Sequence, residues 1–165
     1  MTAPLVAIVM GSKTDMPVME KAATALDEFD VPHFVEVMSA HRDPKRVAAF
    51  AEGAVEAGLK VIIAGAGRAA HLPGVVASLT PLPVIGVPCL SDHLGGADSL
   101  FSIVQMPPGV PVATVGIDAA RNAGLLAVQI LGTADADLRA RFEQFKVDLT
   151  GGGVAGAKPV GFQPR

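Results

Sequence analysis

Leu5-Val6-Ala7-Ile8-Val9-Met10, followed at once by Gly11-Ser12-Lys13-Thr14-Asp15, decides the architecture of this chain. The first six residues are an unbroken apolar run rich in branched side chains. That is the pattern of a strand covered on both faces, as in a parallel sheet. The next five are polar and turn-forming. They open a helical pattern in which Val18, Met19, Ala22, Ala23 and Leu26 share one apolar face.

The same unit recurs along the chain. Further strands are expected at residues 33–38, 61–64, 84–87 and 112–115. Helical patterns fall between and after them: Val47, Phe50, Ala51, Ala54 and Val55 share a face, and residues 72–79, 97–104, 119–131 and 135–149 read as helices. Alternating strands and helices predict an α/β fold with helices on both faces of a mainly parallel five-stranded sheet. Residues 1–150 are expected to form one domain, with a Gly- and Pro-rich tail over 151–165. The segment 119–131 is apolar on most of its circumference, more than one sheet face requires, which predicts that it also meets a partner subunit.

Composition narrows the function. The chain has 165 residues, a net charge of −3, no Trp and no Tyr. A nucleic-acid binder relying on a basic face and stacked aromatics is therefore not expected. No apolar run is long enough for a membrane span, and no basic leader precedes the first strand. Cys89 is the sole cysteine, which fits a reducing compartment such as the cytoplasm and reads as a buried, inert thiol.

In such a sheet the ligand crevice lies at the carboxyl ends of the strands, and the polar clusters fall there. After the second strand comes Ser39-Ala40-His41-Arg42-Asp43-Pro44, a turn opening a helix. It sets a hydroxyl, an imidazole and a guanidinium beside unpaired backbone N–H groups, which suits a phosphate with a proton carrier next to it. Ser12 and Asp15 read either as a helix-capping box or as a phosphate and sugar contact. After the third strand, Gly65-Ala66-Gly67-Arg68-Ala69-Ala70-His71-Leu72-Pro73-Gly74 lets a flat ligand approach the backbone. It is not taken as a dinucleotide fingerprint, because no acidic residue follows about 20 positions later. Three roles are open to His71: orienting His41, contacting substrate, or capping the helix. His41, His71 and His93 lie on separate loops without metal-ligand spacing, so no metal site is expected.

These loops, together with the run from Asp98 through Met106-Pro107-Pro108-Gly109, resemble the N5-carboxyaminoimidazole ribonucleotide mutase family over residues 5–149. The resemblance implies a three-layer αβα, flavodoxin-like fold, with the C-terminal helices used in the contacts of a homo-octamer whose active sites lie between subunits. It implies a cytoplasmic enzyme of purine biosynthesis that uses neither metal nor organic cofactor. Its reaction would convert N5-carboxyaminoimidazole ribonucleotide to 4-carboxy-5-aminoimidazole ribonucleotide by decarboxylation and recarboxylation. His41 would be the general acid and base and His71 a second catalytic residue. Ser12, Asp15 and Arg42 would contact substrate, joined by Ser39, Gly11, Ala40, Gly65, Ala66, Gly67 and Leu72.

Two rival readings accompany it. A related carboxylase takes free CO2, but that branch typically carries Lys after the His and lacks His-Leu-Pro-Gly, so Arg42 and His71 favour the mutase. A non-catalytic nucleotide-binding paralogue is the other. It draws on Arg68, which stands where the family usually has glycine; a positive φ there would strain the loop. Asp92 and His93 are assigned no role.

Overall fold

A computed structural model describes residues 3–151. The chain runs β1 (Val6–Met10), a 3-10 turn (Lys13–Asp15), α1 (Met16–Asp27), β2 (His33–Val37), α2 (Pro44–Gly53), β3 (Val61–Gly67), α3 (Leu72–Leu79), β4 (Val84–Cys89), α4 (Ala97–Val104), β5 (Ala113–Thr114), α5 (Ala120–Gly132) and α6 (Ala136–Gly151). The strands pair in the order β2-β1-β3-β4-β5, all parallel. This is the flavodoxin-like order, in which the chain leaves β1 toward one edge and then returns past it to the other.

Alternation along the central strands divides the interior into two cores. Val6, Ile8 and Met10 face the layer of α1, α5 and α6, while Ala7 and Val9 face α2, α3 and α4. All five β1 residues are fully buried, which is why the run is apolar without interruption.

Three elements differ from the sequence reading. β3 continues three residues past Ala64, so Gly65 and Gly67 belong to a strand; Gly65 sits opposite Met10 and Val87. A side chain there would collide with Met19, whose Sδ would be 2.3 Å from the added Cβ. β5 is reduced to two paired residues at the sheet edge. The third difference is α5. Ala120, Ala123, Gly124, Ala127 and Val128 are buried in the core it shares with α1, and Leu125, Leu126, Ile130 and Leu131 pack partly against the same core beside α6. Its apolar surface thus packs largely against two neighbouring helices, with Leu125, Leu126, Ile130 and Leu131 left partly exposed. The C-terminal tail beyond Gly151 lies outside the described residues. No helix among the described residues is long and apolar enough to cross a membrane.

Candidate active site

The loops that follow β1, β2, β3 and β4 surround a cavity of about 770 Å3 at the carboxyl end of the sheet. Gly11, Ser12 and Asp15 line it from the first loop, Ser39, Ala40, His41 and Arg42 from the second, and Ala66, Gly67, His71 and Leu72 from the third. Of the residues expected to contact substrate, only Gly65 stays out. It lies inside the sheet, where its missing side chain accommodates Met19.

Local chemistry sets each wall. The Ser12 hydroxyl accepts the Thr14 N–H at 3.2 Å and the Thr14 hydroxyl at 2.8 Å, capping the 3-10 turn. Asp15, at the N-terminal end of α1, makes no side-chain capping bond to that helix. Burial pushes the Asp15 carboxyl above its ordinary range; the Ser12 backbone, Thr14 and Arg42 draw it down, and Asp118 adds to the rise. In the second loop the Ser39 hydroxyl accepts the Arg42 N–H at 3.3 Å, and its carbonyl accepts the Asp43 N–H at 2.9 Å. Asp43 then caps α2 by accepting the Arg46 N–H at 3.3 Å, with Pro44 in the first turn. This turn holds His41 and Arg42 outward, and the Arg42 Nη2 donates to the Gly11 carbonyl at 2.6 Å, tying the second loop to the first.

The third loop supplies His71. Its side chain makes no cap bond, although it precedes α3. Instead its Nδ1 is 2.8 Å from Nε2 of His41, and the rings meet edge to face with centroids 4.9 Å apart. One ring donates and the other accepts, so a single proton is shared across residues 30 positions apart. Of the three roles open to His71, capping is absent, while the contact with His41 and a place in the cavity lining are both present.

The fourth wall is the loop after β4, whose polar residues 88–93 are expected at the crevice from the sequence, with no role assigned to Asp92 or His93. Leu90, Ser91 and Asp92 line the cavity. Asp118, with φ +55, clamps this segment: its carboxylate accepts the Leu90 N–H at 2.8 Å and its own N–H donates to the Pro88 carbonyl at 2.9 Å. The only signal in the sequence was an Asp in a Gly-Ile-Asp turn after β5, a residue type that tolerates positive φ. Cys89 is buried, and burial, with the charges of Asp15 and Asp118, pushes its thiol up to about 12. It is an inert core residue, as the sequence suggested. Among the described residues no group of three or more His, Cys, Asp or Glu is arranged to hold a metal ion.

Fold and site together define a class: a flavodoxin-like α/β protein with a cavity at its topological switch point, lined by two imidazoles in hydrogen-bond contact and an arginine. The family model described as AIR carboxylase matches residues 5–151, and the chain belongs to that family. It is 62% identical over 143 residues to the N5-carboxyaminoimidazole ribonucleotide mutase of Mycobacterium tuberculosis, spanning 87% of this chain and 82% of that protein. It is 56% identical over 146 residues to the enzyme of the same name from Pyrococcus horikoshii, 88% of this chain and 82% of the relative. Among solved structures, Treponema denticola PurE superposes with a TM-score of 0.80 at 31% identity, covering 89% of this chain and 92% of that one.

Proposed function

We infer that this chain is an N5-carboxyaminoimidazole ribonucleotide mutase, an isomerase of purine biosynthesis that moves a carboxyl group from the exocyclic nitrogen to ring carbon C4. The observation that carries the mechanism is the His41–His71 contact at 2.8 Å inside a cavity that Arg42 also lines. In the first half of the reaction the N–CO2 bond breaks, and its electron pair stays on nitrogen, which takes a proton from His41. CO2 remains in the cavity. In the second half C4 attacks CO2, the C–C bond forms, and the proton on C4 returns to His41. Atoms and charge balance without any further reactant. His71 holds the His41 ring in one orientation and relays its proton. The substrate's phosphate is held by Arg42 with the Ser12 and Ser39 hydroxyls, and Asp15 accepts from the ribose. Anchoring both ends keeps C4 and CO2 in reacting geometry, which supplies much of the rate.

The test is turnover of N5-carboxyaminoimidazole ribonucleotide by wild type and His41→Asn, beside 5-aminoimidazole ribonucleotide with bicarbonate. Wild type is expected to convert the first substrate far faster than the second. His41→Asn should lose about 10²–10⁴-fold in kcat, the usual worth of a general acid–base, while still binding nucleotide. Equal rates for variant and wild type would remove His41 from the chemistry. Faster use of the bicarbonate mixture would make the enzyme a carboxylase.

We further place the working enzyme as a homo-octamer in the cytoplasm. Exposed apolar side chains support assembly: Leu90, Leu94, Phe101 and Ile117 lie on the segments after β4 and β5 and on α4. The single reduced thiol supports the compartment.

A further inference from the structure

Arg68 adopts φ +58, a left-handed conformation that long side chains avoid. Its backbone is held there from α4. The Arg68 N–H donates to the Ser99 hydroxyl at 2.8 Å, and Ser99, fully buried, donates in turn to the Cys89 carbonyl at 2.7 Å. The Ser102 hydroxyl donates to the Asp98 carbonyl at 2.7 Å and lies 3.4 Å from the Arg68 carbonyl. Strain maintained this firmly clusters at ligand sites, and Arg68 lines the cavity. Among the described residues the ion pairs are His33–Asp27, Arg46–Glu36, Arg121–Glu28 and Arg141–Asp30. None neutralises Arg68.

Placement adds the direction. Arg42 comes from the loop after β2 and is tied to the end of β1, whereas Arg68 is bonded into the region between the ends of β3 and β4. The two sites are two strand spacings apart, about 10 Å, and the His41–His71 pair joins the loops between them. A ligand with an anionic group at each end fits such a cavity. We propose that Arg68 binds the carboxyl group of the nucleotide, opposite the phosphate held near Arg42, with the planar guanidinium matching a carboxylate. This rests on the reading of the cavity as the ribonucleotide site.

Isothermal titration of wild type, Arg68→Gly and Arg68→Asn tests it, with 4-carboxy-5-aminoimidazole ribonucleotide and its uncarboxylated counterpart, 5-aminoimidazole ribonucleotide, as ligands. Glycine and asparagine both accept positive φ, so neither variant should lower the thermal midpoint, and loss of binding cannot be laid to misfolding. Both variants are expected to bind the carboxylated nucleotide at least about tenfold more weakly, the worth of a charge-assisted contact, and the uncarboxylated one within about twofold of wild type. If affinity falls equally for both nucleotides, or for neither, Arg68 is not the carboxylate ligand and the site reading stands. If wild type binds neither nucleotide, the site reading itself fails and takes this assignment with it.

Discussion

Asp15 shows how a single residue trades stability for a site. Its carboxyl sits in the cavity wall with its pKa raised above the ordinary 3.8, chiefly by burial. Below that ordinary value the group is protonated both folded and unfolded, and it costs nothing. Above its folded value it is ionised in both states, and the desolvation penalty is present in full. Asp15→Asn should therefore raise the stability of the ligand-free protein at pH 7, with the gain shrinking as pH falls toward 4, while nucleotide binding is lost. Urea unfolding of the two proteins along a pH series measures this; a gap that widens toward acid would contradict the burial argument. Arg68 makes a related point. Its place where the related family usually has glycine puts glycine-like φ at issue, but only coordinates show that Ser99 holds its backbone there.

At the scale of elements, packing between α1 and α5 is the tightest constraint. A Cβ added at Gly124 would lie 2.7 Å from the Ala22 carbonyl oxygen and 2.8 Å from the Ala25 Cβ. The first of these is backbone, which cannot rotate aside. Gly124→Ala gains about 1 kcal/mol of helix propensity but forces the helices apart, a cost of about 1–3 kcal/mol or more in a packed core. The net result should be destabilisation by about 1 kcal/mol, read as a lower midpoint in denaturant. Gly53 is the control. It ends α2 with open space around its missing Cβ, so Gly53→Ala should stabilise by about 0.4–1 kcal/mol. A stabilised Gly124→Ala would mean that α1 and α5 are not held at this spacing. The bidentate Arg121–Glu28 pair, at 2.7 and 2.9 Å, also joins these helices. It lowers the Glu28 pKa, but both side chains are over 40% exposed and contribute little.

For the whole molecule the question is assembly. The apolar helix α5, expected to face a partner, packs much of its surface on α1 and α6 and leaves Leu125, Leu126, Ile130 and Leu131 partly exposed. The most exposed large apolar side chains include Leu94, 64% exposed, and Phe101, 60%. Wild type should sediment as an octamer, and Phe101→Asp should dissociate it without loss of helical circular dichroism, since an exposed side chain contributes little to the monomer's core. A monomeric wild type would end the octamer proposal. An intact Phe101→Asp octamer would move the interface off α4.

Much was determined by the sequence alone: the alternation of strands and helices, the parallel sheet, and which polar loops lie at its working end. These follow from local periodicity and turn chemistry, which a short window of residues expresses. The full length of β3 through Gly67 was not legible, because Gly-Ala-Gly reads as a turn until pairing with β1 and β4 overrides it. Nor was the packing of α5 or the clamp of Asp118 on Leu90, and the contact between His41 and His71 was one of three open possibilities. The tertiary structure decided these, because each is a contact between residues far apart in the chain. Its energy depends on the order β2-β1-β3-β4-β5 and the register of neighbouring strands, neither of which leaves a mark on the local pattern of side chains.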